Sequence, residues 1–450
     1  MSCLSEDVLG LLASLVSVDT TNDPVRGLKP GRAVIDLVED LLRGWGLDAS
    51  LLEVNGYYTI YGEVGRGEPL IMFMAHLDVV PAVREEWTHD PFKLTVVGDK
   101  AFGRGVADDK GNVVGVMLAL KRLNEQGLRG RVLYAFTTDE EVGGVHGAKA
   151  LAEKLAKENS LPKYLINCDG SLMSPIVRRR KSFKALVKAA RKTVKVSGAL
   201  RKVEFEVRTP VTPTRHAAYF IPGVDTHPFI AASHFMRSNP WLLATRVEGT
   251  FVKSNVLPSK VMVEYADPSG EGGEVEADVG LTEVLHLLMP LSRTPVQTSL
   301  HSDYGVTITP NMYYLDGEGR HVVEVDVRAM TNETGVVREA LERVASEVAP
   351  EVSLEVRGER SSGCLYLSPD DGLVKTSLKL LESMGVRASP VEGAGASDSR
   401  YFTPLGVKSM DFGPKGGNVH GPDEWVDINT LRLLPRFYVG VARELMSLPD

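Results

Sequence analysis

The sequence predicts an α/β protein, a mainly parallel-sheet domain interrupted by an inserted α+β domain. Three observations predict it. Four apolar, β-like runs end in a histidine, a carboxylate or a glycine-rich loop; helical patterns separate them; and a strand-rich segment stands between the third run and the fourth. Strands that alternate with helices favour a parallel sheet with helices on its faces.

The chain begins with MSCLSEDVLGLLASLVSVDTTNDP. Its apolar stretch follows Glu6 and Asp7 rather than a basic segment, so it reads as a first amphipathic helix and not as a secretion signal. The four runs follow. LIMFMAH (70–76) ends at His76, RVLYAFTTDEE (131–141) at Glu140 and Glu141, KYLINCDG (163–170) near Asp169, and VKSMDFGPKGGNVH (407–420) at His420. Between the first two, Val113, Val116, Met117, Leu120 and Leu123 recur at helical spacing, and Gly127 follows as a stop. Open parallel sheets bind ligands beyond the carboxyl ends of their strands, which is where these polar residues fall.

The middle reads differently. KVEFEVRTP (202–210), VMVEYAD (261–267) and HVVEVDVRAM (321–330) read as strands, the last with a period of two. Helical patterns cover 281–291 and 334–348, and PSGEGGE (268–274) reads as a loop. The expected division is a first part of the sheet domain over 1–177, an insert over 178–365, and the second part over 366–450. RRRK at 178–181 is expected to be a solvated face or a linker.

Bulk composition narrows the function. With 450 residues the chain exceeds one ordinary core. Its net charge of −8 gives no footprint for nucleic acid. No apolar run reaches the roughly 18 residues of a membrane span. Cys3, Cys168 and Cys364 are widely spaced and form no disulfide or zinc-finger pattern, which suits a reducing, cytoplasmic location.

The strand-end residues form one chemical set: His76, Asp78, Asp108, Asp109, Glu140, Glu141, Asp169 and His420. Imidazoles and carboxylates in this mixture suit a borderline divalent cation such as zinc. So many acidic groups at one sheet edge would repel and desolvate badly without one.

The motifs that hold these residues are MAHLDVVP (74–81), GRGVADDKG (103–111), TTDEEVGG (137–144), NCDGS (167–171) and NVHGPDEWV (418–426). In content and order they resemble the metallopeptidase family of carboxypeptidase G, aminoacylase, carnosinase, acetylornithine deacetylase and succinyl-diaminopimelate desuccinylase. The resemblance implies a catalytic domain with an inserted lid and dimerisation domain, and two divalent ions, zinc by preference with cobalt or manganese as substitutes. It implies His76 and Asp169 at the first ion, Glu141 and His420 at the second, and Asp108 bridging both. Asp78 would orient His76, and Glu140 would be the general base. The Asp108–Asp109 peptide is expected to be cis, as in relatives.

Within the insert, TRHAAYFIPG (214–223) resembles the segment whose histidine reaches the scissile carbonyl, which points to His216. TPNMYY (309–314) before EVDVRAM (324–330) resembles a substrate-carboxylate grip, pointing to Asn311 and Arg328. SNVLPSKV (254–261) makes Asn255 a competitor, and Asn311 is preferred because the strand of Arg328 follows it directly. GASDSRYF (395–402) resembles a substrate loop, with Ser397 and Arg400 as its candidates; Arg400 is also read as a plain salt-bridge partner. His227 is read as structural. The stretch from Phe251 to Pro310 lengthens the inserted domain beyond the short lid of many relatives.

The implied activity is metal-dependent hydrolysis of an amide or peptide bond in a small N-acyl amino acid or dipeptide with a free carboxylate. A homodimer is implied, with His216 serving the partner's site. One rival is a catalytically decayed binding or assembly homologue. Another is a serine hydrolase built on Ser397 and Asp398, which lacks the G-x-S-x-G elbow.

Overall fold

The protein's computed structural model describes residues 7–211, 215–297, 306–358 and 363–447. Cys3 and Thr214 lie outside them. The chain separates into two compact units, one of 1–179 with 365–450 and the other of 180–364.

In the first unit, nine strands pair into one sheet among the described residues. Its centre is four parallel strands in the order Arg131–Thr137, Pro69–His76, Tyr164–Asn167 and Lys408–Asp411. These are the four runs that the sequence marked, and antiparallel strands flank them. The register aligns their carboxyl ends: His76 lies opposite Thr137, Met74 opposite Asn167, and Asn167 opposite Asp411.

Alternation along Pro69–His76 builds two cores. Ile71, Phe73 and Ala75 join the cluster that contains the helices Asp7–Ser17, Lys110–Gln126 and Ile428–Met446. Met72 and Met74 face the other way, onto Leu151 and Leu155 of the helix Ala148–Lys157. Lys110–Gln126 is buried at every apolar position predicted for it, and Gly127 ends it. At Gly115 an added Cβ would lie 2.7 Å from Cβ of Leu434, so glycine permits the close approach of Ile428–Met446.

The basic run departs from expectation. The run spans the division between the two units, but Arg179 is not solvated: it is 8% exposed and ends the strand Ile176–Arg179. Its Nε donates to Asp411, its Nη1 to the carbonyl of Gly395 (3.1 Å) and its Nη2 to that of Asp169 (3.1 Å). The partners lie far away in sequence, which is why a local charge pattern misread it.

The second unit holds a four-stranded antiparallel sheet in the order Thr307–Leu315, His321–Ala329, Lys181–Ala189 and Ser353–Gly358. A three-stranded sheet follows the order Ala199–Glu206, Lys260–Asp267 and Leu243–Gly249. The helices Pro228–Ser238, Val279–Ser292 and Thr334–Val348 share one apolar cluster with both sheets. Strands with the period of two that HVVEVDVRAM shows can extend a sheet edge, and His321–Ala329 carries that pattern. It is an interior strand, hydrogen-bonded on both sides, so it has no edge to offer.

His227 caps the helix Pro228–Ser238. Its Nδ1 accepts the N–H of Phe229 (3.2 Å), and its Nε2 donates to Oδ1 of Asn311 (3.0 Å). Burial pushes its pKa down to about 4. As pH falls below the ordinary histidine value of about 6.5, the unfolded chain takes a proton that the folded ring refuses until about 4, so stability falls across that window. Between pH 7 and pH 5 the loss at this one residue is on the order of 2 kcal/mol. His227→Asn keeps a side-chain capping acceptor and should flatten that part of the pH dependence in urea unfolding; equal slopes for variant and wild type would count against it.

Candidate metal centre

Each polar side chain reaches the centre from a strand end or the loop after it. His76 is the last residue of its strand and is 1% exposed. The next strand, Arg131–Thr137, leads into a short turn, Glu140–Val142, that carries both glutamates. Asp78 fastens the two together. Its Oδ1 accepts the N–H of Glu140 (3.2 Å), and its Oδ2 accepts those of Glu141 (3.1 Å) and the Asn22 amide (2.9 Å). Nδ1 of His76 lies 3.1 Å from the Asp78 carbonyl and 3.4 Å from Oδ1, so the proton on that nitrogen is held and Nε2 faces the centre.

Nε2 of His76 meets Oδ1 of Asp108 at 2.9 Å, and Nε2 of His420 meets Oδ2 of the same carboxylate at 3.1 Å. One oxygen of Asp108 therefore serves each histidine. The Asp108–Asp109 peptide is cis. Asp109 points away from the ions' side: its Oδ2 accepts the backbone N–H of His76 (3.0 Å), and its Oδ1 accepts the Asn112 amide (2.7 Å). His420 also meets Oε2 of Glu141 at 3.1 Å. Oε1 of Glu141 is buried without a hydrogen-bond partner among the described residues.

Two donor groups result. The donor atoms of His76, Glu140 and Asp169 lie within 4.8 Å of one another, as do those of Asp108, Glu141 and His420. Imidazole nitrogens with carboxylate oxygens, one of them orphaned, fit a pair of divalent ions. The electrostatics point the same way. Burial and the charges of Glu140 and Asp108 push the Asp169 carboxyl well above its usual range. Burial and Asp108 push Glu141 up to about 7. Burial opposes the charge on His420, yet its bonds to Asp108 and Glu141 raise it to about 11. Positive charge is what this cluster lacks, and in its own side chains only the imidazoles supply it.

Glu140 is braced from the far side. Nη1 of Arg400 lies 4.0 Å from its Oε1, while Nη2 of Arg400 pairs with Asp398 (3.1 Å) and donates to the Gly143 carbonyl (2.9 Å). Tyr401 donates to that carbonyl as well. Gly144, at φ 62°, has no room for a side chain, because a Cβ would sit 2.1 Å from Asp398. Arg400 is thus a buried salt-bridge partner that faces Glu140, the second of its two expected uses. Ser397 is 2% exposed, and its hydroxyl has no hydrogen-bond partner among the described residues. No histidine there activates it, which removes support from a serine triad.

In the second unit the preferred asparagine changes. Asn311 is wholly buried at an irregular point of its strand, and its amide is consumed by His227, the Ser254 carbonyl (2.6 Å) and Thr309 (3.1 Å). Such an amide has nothing left for a substrate. Asn255 instead lies 3.2 Å from Nε2 of His216, and its Oδ1 is buried without a partner among the described residues. Nδ1 of His216 accepts the N–H of Ala218 (3.1 Å). Burial, then the charge of Arg328, lowers the His216 pKa and keeps the ring neutral. Arg328 offers one edge of its fork to Asp326, through Nε (2.8 Å) and Nη2 (3.1 Å). The Nη1–Nη2 edge is the one that could still grip a carboxylate in two parallel bonds.

Asn22, Arg104 and Glu424 also shape the centre and were not read from the sequence, and Asp398 was read only as a partner of Ser397. Glu424 stood inside a quoted motif, but nothing in its spacing distinguished it from a surface carboxylate.

Comparison with known proteins identifies the family. The family model described as peptidase family M20/M25/M40 matches residues 72–444. The succinyl-diaminopimelate desuccinylase of Gluconobacter oxydans (strain 621H) is 26% identical over 385 residues, 85% of this chain and 83% of that protein. The enzyme of the same name from Xylella fastidiosa (strain M23) is 23% identical over 98% of this chain and 99% of its own. Among solved structures, the aminoacylhistidine dipeptidase of Vibrio alginolyticus superposes with a TM-score of 0.71 at 14% identity, covering 98% of this chain and 96% of that one. No helix among the described residues is long and apolar enough to cross a membrane. The chain belongs to peptidase family M20/M25/M40 and is a metal-dependent hydrolase of amide or peptide bonds.

Proposed function

We propose that this protein hydrolyses the amide or peptide bond of a small N-acyl amino acid or dipeptide that carries a free carboxylate. His76, Asp169 and Asp108 would hold one zinc ion, and Asp108, Glu141 and His420 a second. The observation that carries this reading is the Asp108 carboxylate, whose two oxygens reach two different histidines. The desuccinylase relatives favour an N-acyl substrate, and the dipeptidase neighbour keeps dipeptides in the same class.

Two divalent ions at such a site supply Lewis acidity, which makes water nucleophilic near neutral pH and neutralises charge that develops on an amide oxygen. The chain's own residues do the rest. Glu140 takes the proton of the attacking water and later returns it to the leaving nitrogen. Burial raises its pKa, against the opposing charges of His76 and Arg400, toward the range in which a carboxyl both accepts and gives up a proton. Arg400 and Asp398 hold it in place. Asp78 fixes the His76 tautomer and the backbone of both glutamates, so one carboxylate orients a donor and the base together. On the strength of the resemblance, His216 is assigned to the substrate carbonyl, and Asn255 with Arg328 to its carboxylate.

The buried thiols of Cys168 and Cys364 form no disulfide among the described residues, which suits a reducing compartment, and we place the enzyme in the cytoplasm. We also propose a homodimer formed through the second unit. Within it the strands Ser353–Gly358 and Ala199–Glu206 are sheet edges among the described strands.

A screen of N-acetyl, N-succinyl and N-carbamoyl amino acids and dipeptides, against protein loaded with zinc, cobalt or manganese, tests the substrate class. Turnover of at least one, lost with a chelator, is expected; none at all would defeat the reading. In Glu140→Gln, metal content should stay normal while kcat falls by roughly 10²–10⁴. Near-normal turnover would remove Glu140 as the base. Mixing inactive His216→Ala with inactive Glu140→Gln tests the dimer. Activity should reappear on subunit exchange if His216 serves the neighbour; mixed dimers that stay inactive place it within its own chain.

A further inference from the structure

We propose that Glu424 is a positioning residue that ties the loop of His420 to the backbone of Asp108, and so sets the geometry of the Asp108–Glu141–His420 donor group. The proposal rests on the two-metal reading above.

Glu424 is 1% exposed, and both its oxygens are spent on one short segment. Oε1 accepts the N–H of Ala107 (2.9 Å) and that of Asp108 itself (3.0 Å). Oε2 accepts the N–H of Gly105 (3.0 Å) and Nη1 of Arg104 (2.7 Å). Arg104 is 2% exposed, and its guanidinium lies 5.0 Å from the centre of the Trp87 ring. A buried carboxylate with four donors, one of them charged, makes strong and directional bonds. The main chain joins in: the N–H of Gly103 donates to the Glu424 carbonyl (3.1 Å), and Trp425 pairs with Phe102 in a small antiparallel sheet.

His420 stands four residues before this anchor. It sits at φ 64°, and its side chain is 54% exposed. Neither a regular element nor surrounding packing fixes such a ring. What fixes it is the turn that carries it, and that turn ends at Glu424. Because Glu424 also bonds the N–H of Asp108, a shift of this one carboxylate displaces two donors of the same group relative to each other. A brace serving stability alone would not single out that pair.

The test is a cobalt titration of the full-length chain after metal removal, read by visible absorption and by bound equivalents after dialysis. Wild type should take up two equivalents. Glu424→Gln replaces one acceptor oxygen by an NH₂ that opposes its donors. It should keep one equivalent near wild-type affinity and bind the second roughly 10–100-fold more weakly. The spectrum of its single-cobalt form should match that of His420→Ala. Two equivalents of wild-type affinity in Glu424→Gln, or equal weakening of both, would overturn the proposal while leaving the two-metal reading intact. A wild type that takes up only one equivalent overturns both. If Glu424→Gln gives no cooperative thermal transition, Glu424→Asp replaces it with the same readouts. That variant keeps the charge but is one methylene shorter, so it cannot hold the backbone N–H groups of Gly105, Ala107 and Asp108 as Glu424 does, and it should still weaken the second equivalent selectively; unchanged binding would again overturn the proposal.

Discussion

Asp108 holds the structure to account. Its carboxylate lies between two imidazoles, with Glu140, Glu141 and Asp169 close behind, and all of these groups except His420 are buried or half-buried. Like charges at such separations repel strongly, and more so out of water. The protein meets this with fixed hydrogen bonds behind nearly every group. Asp78 and Asp109 secure His76, Arg179 holds the Asp169 carbonyl, Arg400 faces Glu140, and Glu424 secures Asp108. The residues around the centre are therefore largely a scaffold that keeps an unfavourable assembly of charge in register.

Much of this was legible in the sequence because it depends on short-range rules. A strand that must be buried on both faces reads as an apolar run, and a parallel strand must place its next polar residue at its carboxyl end. LIMFMAH, RVLYAFTTDEE, KYLINCDG and VKSMDFG obey both rules, and they form the four central strands. The helix Lys110–Gln126 was equally clear from its periodicity.

The misread parts depend on partners distant in the chain. Arg179 looked like one of four surface cations until the fold brought Asp411 and Gly395 to it. Asn311 was preferred over Asn255 for its place beside the Arg328 strand, but the amide is consumed by His227 and Ser254 from two other segments and by Thr309 of its own strand. The alternation in HVVEVDVRAM suggested a half-exposed strand, whereas its valines and its Asp326 and Arg328 are all buried between two neighbours. Periodicity reports the chemistry of a face, and it does not say whether that face meets water or another polar surface inside.

The chain leaves the first unit at Arg179 and re-enters it at Leu365, and those two residues are direct partners in an antiparallel pair. The two cut points of the insert are thus fixed side by side by the sheet of the unit they interrupt. For that unit the inserted segment behaves as one long hairpin loop with its ends already clamped. Lengthening such a loop adds only a slowly growing closure cost, about 0.6 kcal/mol for each doubling when it is flexible, and less for one that folds on itself. The sheet of the first unit can accept inserts of very different size at this seam without paying for them in its own register, so the inserted unit is free to be rebuilt while the part that holds the charged cluster stays fixed.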